Sequence, residues 1–499
     1  MTREIVETKV LPTFLGNWIQ GKSQEAASRL QFEKFSPSTG KVLFKVARAG
    51  ISDIQLAIEN AKQAQLHWAA LSPVSRGKQL LKIARLLEDR AESMASLVAL
   101  ETGKSHRDAI GEIRGAVQLA EFFAGEGMRL YGQTIPSGLA QKQTFTVREP
   151  LGIAVLIVAS NAPVPNIAWK LFPALICGNA AILKASEDAP LSAYRMAQWA
   201  SEAGLPDGLF NVIQGIGAEV GPLLTSHPDI DVISFTGSTR VGKQIAAAAS
   251  PYLTRLSLEL GGKNPLVVCE DADIDLAVHW ALLSSFSNAG QRCASSSRII
   301  VFDAVYETFK QKFLTATRQL KIGSQDTDNV GPVINLRQMN TILEAIQLGV
   351  QRGATLLCGG KRMAAADNEA GYYIEPTIFE EVPIEDELSQ KELFGPVTVL
   401  YRCKNLTEAI LLANATSYGL TAAIHTKNIH RAMVFSRAVR AGMVNVNLGT
   451  HGSEPHYPFG GFGDSGNGSR EPGVQALNVY SELKSISLGI EATDIEEKK

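Results

Sequence analysis

A chain of 499 residues exceeds what a single hydrophobic core accommodates, so two or more domains are expected. Its hydrophobic content of 45% is that of an ordinary globular protein, and its longest apolar run, Leu151 to Ala159, falls far short of the ~20 residues of a spanning helix, so no membrane partner is expected. The formal net charge of −2, with acids and bases interspersed, argues against a nucleic-acid surface.

Met1 to Glu7 contains no apolar stretch and predicts no secretory signal. Ser52-Asp53 is expected to cap a helix running to about Trp68. A second helical pattern places Leu80, Ile83, Ala84, Leu87, Ala91, Met94 and Val98 on one face and stops at Gly103. Both read as core packing without chemistry. Thr144 to Arg148 alternates in polarity, as does Tyr480 to Leu488, and each predicts an exposed strand with one apolar face. Far from the main core, such strands are edges in need of a partner, and another subunit would serve. The tail Glu491 to Lys499 is charged and expected to be loose.

Between these strands runs a regular βα alternation. Gly152–Val158, Ala180–Lys184, Phe210–Ile213 and Val232–Phe235 read as buried strands. The second is followed by a helix begun at Pro190, the third by one after Gly217, and the fourth by one through Ala248. This pattern predicts a parallel sheet covered on both faces, with ligands at the carboxyl ends of its strands. A second α/β region follows: a strand at Ile299–Phe302, a helix at Tyr306–Leu320, and strands near Leu356 and Val397.

The chemistry centres on Cys293 in Asn288-Ala289-Gly290-Gln291-Arg292-Cys293-Ala294 and on Glu259 in Leu258-Glu259-Leu260-Gly261-Gly262-Lys263. A lone cysteine is usually a small buried hydrophobe. Paired with a carboxylate in glycine-bounded turns around a nucleotide-type fold, it points to an enzyme that makes and hydrolyses a thioester. The five cysteines, Cys177, Cys269, Cys293, Cys358 and Cys403, form neither a disulfide framework nor a zinc pattern, which fits a reducing cytoplasm. The eight histidines show no ligand spacing, and no metal is predicted.

For a nucleotide, Gly215-Ile216-Gly217-Ala218-Glu219-Val220-Gly221 is one residue too long for the dinucleotide fingerprint. Phe235-Thr236-Gly237-Ser238-Thr239 is the better pyrophosphate candidate, with a glycine and hydroxyls at a helix N-terminus; plain capping is the alternative. Lys184-Ala185-Ser186-Glu187 ends a strand, where a carboxylate can accept from ribose hydroxyls and repel a 2′-phosphate. This favours NAD over NADP unless the pair is merely a solvated ion pair. Asn161 can donate to a substrate oxyanion, a contribution of about 3 kcal/mol, or simply serve a turn.

Taken together, these motifs, with Glu392-Leu393-Phe394-Gly395-Pro396 and Pro458-Phe459-Gly460-Gly461, resemble the aldehyde dehydrogenase superfamily from about Asn17 to Leu488. The resemblance implies an α/β protein with three parts. They are a Rossmann-like parallel-sheet NAD-binding domain (1–130 and 151–260), a second α/β catalytic domain (261–460) and a small β oligomerisation element (131–150 and 475–490). It makes Cys293 the nucleophile, Glu259 the base for the deacylating water, and Asn161 an oxyanion donor together with the Cys293 N–H. The implied cofactor set is Ile157, Ala159, Ser160, Lys184, Ser186, Glu187, Gly217, Phe235, Thr236, Gly237, Ser238, Val241, Leu260, Glu392 and Phe394. The implied partners are an aldehyde and further copies of the chain, as a homodimer or homotetramer.

In this scheme the thiolate adds to an aldehyde, hydride leaves for the nicotinamide, and water activated by Glu259 cleaves the thioester. The rivals are a CoA-acylating dehydrogenase, which has no need of Glu259, a cysteine hydrolase, which needs no adenosine site, and a catalytically silent relative. Two departures stand out: Ala159-Ser160 where Pro-Trp is common before the oxyanion Asn, predicting a roomier and more polar nicotinamide wall, and Gly463 where Lys is common. Trp169 and Leu448–Tyr457 are expected to border the substrate tunnel, with His451 and His456 at its mouth. Arg292 reads as a structural arginine pointing away, the alternative being reception of a substrate carboxylate.

Overall fold

The apolar segment Ile153–Ile157 becomes an inner strand of a seven-stranded sheet in the computed structural model, which describes residues 11–363 and 370–490. The readings for Met1–Glu7 and for Glu491–Lys499 lie outside the described residues. Ala180–Lys184 and Val232–Thr236 flank Ile153–Ile157 in parallel. Phe210–Ile213 lies beyond the first and Arg255–Glu259 beyond the second, also parallel. Asn17–Ile19 and Lys22–Gln24 add antiparallel strands at the far edge. Chain order reverses between Ile153–Ile157 and Val232–Thr236, and at such a reversal the outgoing loops diverge and leave a crevice at the carboxyl ends.

A second seven-stranded sheet carries, in order, Thr355–Cys358, Thr377–Glu380, Val397–Cys403, Ser296–Phe302, Asn264–Val268, Thr421–His425 and Met443–Val446. All its pairings are parallel except the first. Each large sheet has its own apolar core, one around Val155, Leu171 and Leu183, the other around Val267, Ile300 and Phe313. Helix Pro163–Ile176 is apolar nearly all round, with buried residues on every face, so it is enclosed by its neighbours. Among the described residues no helix is long and apolar enough to cross a membrane.

Several sequence expectations need correction. The first helix spans Ile51–Ala69 with Gly50 as N-cap; Asp53 sits at its third position and accepts from the Gly50 N–H at 2.8 Å. The second apolar face is split between two helices, Pro73–Asp89 and Ala91–Thr102, which meet at Arg90. The face is continuous in three dimensions although the helix is not. His106–Glu126, a 21-residue helix, had no counterpart in the pattern read from the sequence. The first exposed strand is longer than expected, Lys142–Pro150, the second is shifted by one residue, Ser481–Gly489, and they pair with each other antiparallel. Thr134–Ile135 completes a three-stranded sheet, with Ser481–Gly489 at its outer edge. Part of the partner assigned to another subunit is thus supplied within the chain.

Candidate active site

Cys293 follows a turn in which Asn288, Ala289 and Gly290 all take left-handed backbone (φ 52°, 53° and 69°). Such a run persists only where its surroundings over-determine it. Gln291 does so from one side: its Oε1 accepts from the Ile334 N–H at 2.8 Å and its Nε2 donates to Pro332 O at 3.2 Å. From the other side Asn264 Nδ2 donates to Cys293 O at 2.7 Å and to Ser295 O at 2.8 Å. The sulfur is thereby fixed at the edge of the crevice. Burial pushes the Cys293 thiol up to about 12, and the carboxylates of Glu392 and Glu259 add to the shift.

Asn161 leaves the carboxyl end of Ile153–Ile157. Its Nδ2 donates to Gln291 O at 2.9 Å, which leaves a second N–H for another acceptor, while its Oδ1 accepts from Asn166 Nδ2 at 3.2 Å. Its backbone carbonyl accepts from Lys104 Nζ at 2.6 Å and from Asn288 Nδ2 at 3.2 Å. Glu259 ends the edge strand Arg255–Glu259 and is buried with neither carboxylate oxygen hydrogen-bonded. Burial and the nearby Glu471 carboxylate hold its carboxyl well above the usual range; Lys170 and Arg470 oppose the shift.

Cys293, Glu259 and Asn161 line one cleft of about 590 Å³, located at the reversal of strand order. Of the expected cofactor residues, Ala159, Thr236, Gly237, Ser238, Leu260, Glu392 and Phe394 line the same cleft. Ser238 caps helix Thr239–Ala249, its Oγ accepting from the Val241 N–H at 3.4 Å. Glu392 Oε1 accepts from the Gly262 N–H at 3.1 Å, and burial raises its carboxyl to about 7. Lys184 Nζ and Glu187 Oε2 lie 2.9 Å apart, and a Cβ added to Gly217 would sit 3.5 Å from that oxygen, so these three residues form a separate cluster beside the cleft. Ile157, Ser160, Ser186, Phe235 and Val241 are not among the cleft's lining residues; Phe235 is in the core, its ring beneath Gly237.

Trp169 lines the cleft with its ring 5.1 Å from that of Phe459. Leu448–Tyr457, expected at the tunnel, contributes no lining residue, and Phe459 stands there instead. The Ala159-Ser160 departure reaches the cleft only through Ala159. Gly463 has φ 57°, and a Cβ there would lie 2.3 Å from Ser417 O, so this turn has no room for the commoner lysine.

The sequence reading missed the surroundings of Glu259. Lys170 Nζ lies 2.8 Å from Glu471 Oε2 and 2.7 Å from Ser234 Oγ, all fully buried. One signal was available: Lys170 is the sole cation of an otherwise apolar helix, and an enclosed ammonium requires a buried partner. Lys104, just past the expected stop at Gly103, carries no assignment in the sequence, yet its Nζ donates to Asn161 O at 2.6 Å. Among the described residues no cluster of three or more His, Cys, Asp or Glu could hold a metal ion.

Residues 23–486 match the sequence model of the aldehyde dehydrogenase family. An aldehyde dehydrogenase of Aspergillus niger is 39% identical over 95% of this chain and 94% of its own length. The alpha-ketoglutaric semialdehyde dehydrogenase of Bacillus subtilis is 35% identical over 94% of this chain and 97% of its own. Among solved structures, the betaine aldehyde dehydrogenase of Staphylococcus aureus in complex with NAD+ superposes with a TM-score of 0.94 at 32% identity, covering 98% of this chain and 97% of that one.

Proposed function

The chain belongs to the aldehyde dehydrogenase family, and from that premise we propose that it oxidises an aldehyde to its carboxylic acid with NAD, by way of a thioester on Cys293. One observation carries this reading: the thiol, the unbonded carboxylate of Glu259 and the amide of Asn161 share a single cleft at the switch point of the parallel sheet. Cys293 Sγ adds to the carbonyl carbon. Asn161 Nδ2, with the Cys293 N–H, donates to the oxyanion that forms. Bound NAD supplies the two-electron acceptor for the oxidation that leaves the thioester. Glu259, ionised, takes a proton from water, and the hydroxide so generated releases the acid and frees the sulfur.

The fit of the cofactor rests on the residues at the crevice. Thr236, Gly237 and Ser238 present a helix N-terminus to a pyrophosphate. Lys184 and Glu187, beside Gly217, offer a cation and a carboxylate to the adenosine ribose, and the carboxylate disfavours a 2′-phosphate. Leu260, Glu392 and Phe394 would border the nicotinamide end. The segments 1–130 and 151–260 would then act as the nucleotide-binding part and 261–460 as the catalytic part. The outer strand Ser481–Gly489, with Leu483 and Leu488 exposed, would join a second copy in a dimer or tetramer, an interface visible by light scattering. A reducing cytoplasm suits five free cysteines.

The test is NADH formation by the purified protein with aldehydes, with and without CoA. Cys293→Ala should abolish turnover. Glu259→Gln should lower kcat by about 10²–10⁴-fold while keeping a burst of NADH equal to the enzyme present. Full activity of Cys293→Ala, or a requirement for CoA, would overturn the reading.

A further inference from the structure

Asn335 stands at the start of helix Leu336–Gln351 and uses both ends of its amide. Its Oδ1 accepts from the Gln338 N–H at 2.8 Å and so caps the helix, while its Nδ2 donates to Asp188 Oδ2 at 2.9 Å. These partners belong to different cores. Asp188 follows strand Ala180–Lys184 of the first large sheet and is the residue after Glu187. The helix capped by Asn335 buries Met339, Ile342 and Ile346 in the core of the second. Burial raises the Asp188 carboxyl, and the Lys34 charge is the largest influence opposing it.

The same short segment also reaches the reacting end of the cleft. Just before Asn335, the Ile334 N–H and Pro332 O hold the side chain of Gln291, whose own carbonyl accepts from Asn161 Nδ2. Just after it, Gln338 Nε2 donates to Leu393 O at 2.7 Å and to Phe394 O at 3.3 Å, and Phe394 sits at a left-handed φ of 53°. Gln338, Leu393 and Phe394 all line the cleft. Residues 332–338 thus contact three places: the loop that carries Glu187, the turn that leads to Cys293, and the segment beside Glu392. A dinucleotide reaching from Glu187 to Glu392 would bridge both cores, whereas an adenosine fragment would meet only the first.

Resting on the NAD site proposed above, we infer that Asn335 is a positioning residue, whose hydrogen bond to Asp188 sets the adenosine and nicotinamide ends of the cleft at the spacing the dinucleotide requires. Asn335 does not itself line the cleft. It acts through Asp188 on one side and through Gln338 and the Gln291 contacts on the other. A contact that fixes this spacing lowers the ordering cost of binding a ligand that spans it. It contributes nothing to a ligand confined to one end.

The experiment measures Kd for NAD and for AMP by calorimetry on the full chain, a readout independent of turnover. Asn335→Ser keeps an oxygen able to cap the helix and removes the amide donor. It should raise the Kd for NAD about three- to tenfold and leave the Kd for AMP within about twofold. A role in stability alone would weaken both ligands or neither. Asn335→Ala, which lacks the cap as well, should weaken NAD alike and also melt at a lower temperature. Asp188→Ala should weaken NAD, and adding Asn335→Ser to it should weaken NAD no further, since the shared bond is already gone. An NAD Kd unchanged in Asn335→Ser, equal weakening of NAD and AMP, or effects of the two substitutions that multiply would each overturn the inference. Oxidation of aldehydes with NAD in that event would leave the proposed function standing. Selective weakening of NAD without oxidation of any aldehyde would instead sink that function and keep the role of Asn335. A wild type that binds neither ligand would overturn both.

Discussion

Lys170 and Glu471, 301 positions apart in the chain, form a fully buried ion pair at 2.8 Å, and Glu259 is held within its field without a hydrogen bond of its own. The pair acts on Glu259 with opposite signs. The Glu471 charge raises the Glu259 carboxyl, and the Lys170 charge lowers it. Since desolvation dominates, the candidate base is poised to remain protonated well above the usual carboxylate range.

A pH profile should carry this signature. Glu259 serves as a base only when ionised, so hydrolysis of the thioester is lost as pH falls through its raised pKa. The acid limb of kcat should therefore lie above that of an ordinary carboxylate. Glu471→Gln removes the charge that raises Glu259 and should shift the limb to lower pH; Lys170→Met should shift it the other way. Each variant leaves a buried partner unpaired, which should cost about 3–5 kcal/mol in denaturant unfolding. A limb unmoved in both variants would show that Glu259 is not the group being titrated.

Gly460 tests how tightly the base is seated. Its φ is 145°, and a Cβ there would stand 2.8 Å from both Glu259 Oε1 and Ser469 O. Gly460→Ala should cost about 1–3 kcal/mol through backbone strain and displace the carboxylate. We expect kcat to fall with little change in the KM for aldehyde, measured at steady state beside a thermal melt.

The cysteines should separate by access more than by acidity. Burial raises the thiols of Cys177 and Cys269 to about 12, as it does Cys293, and Cys358 to about 11. Cys293 alone of these lines the cleft. Its labelling should rise about tenfold per pH unit below its pKa, following the thiolate fraction. Glu392→Gln removes the largest charge acting against the thiolate and should accelerate labelling at fixed pH. Peptide mapping after a short exposure should find the label on Cys293 first.

Cofactor choice should follow Glu187. Glu187→Gln removes a carboxylate that would meet a 2′-phosphate and leaves Lys184 free to bind one. Its ratio of kcat/KM for NAD over NADP should fall by about tenfold or more, with a stability cost of about 1–3 kcal/mol, because the buried Lys184 ammonium loses its charged partner. An unchanged ratio would place the adenosine ribose elsewhere.

What could be read in the sequence was local. The parallel strands were legible because a strand buried on both faces is a short apolar run between turns, as Ala180–Lys184 and Val232–Thr236 are. Cys293, Glu259 and Asn161 stood out because each sits beside a glycine- or proline-marked turn, Asn161 after a strand, Glu259 at the end of one and Cys293 ahead of one. Helix ends were less legible: Gly50 caps the first helix and Arg90 interrupts the second face, and neither position breaks the hydrophobic period.

Periodicity and turn chemistry act between near neighbours, so the chain alone was enough to recognise the parallel strands, most of the helices and the candidate reacting groups. Only the tertiary structure decided what surrounds those groups. It brought Glu471 to Lys170, paired Lys142–Pro150 with Ser481–Gly489, and left the buried carboxylate of Glu259 without a hydrogen bond. The physical reason is that desolvation and charge depend on distance through space, and the chain closes those distances only when it folds.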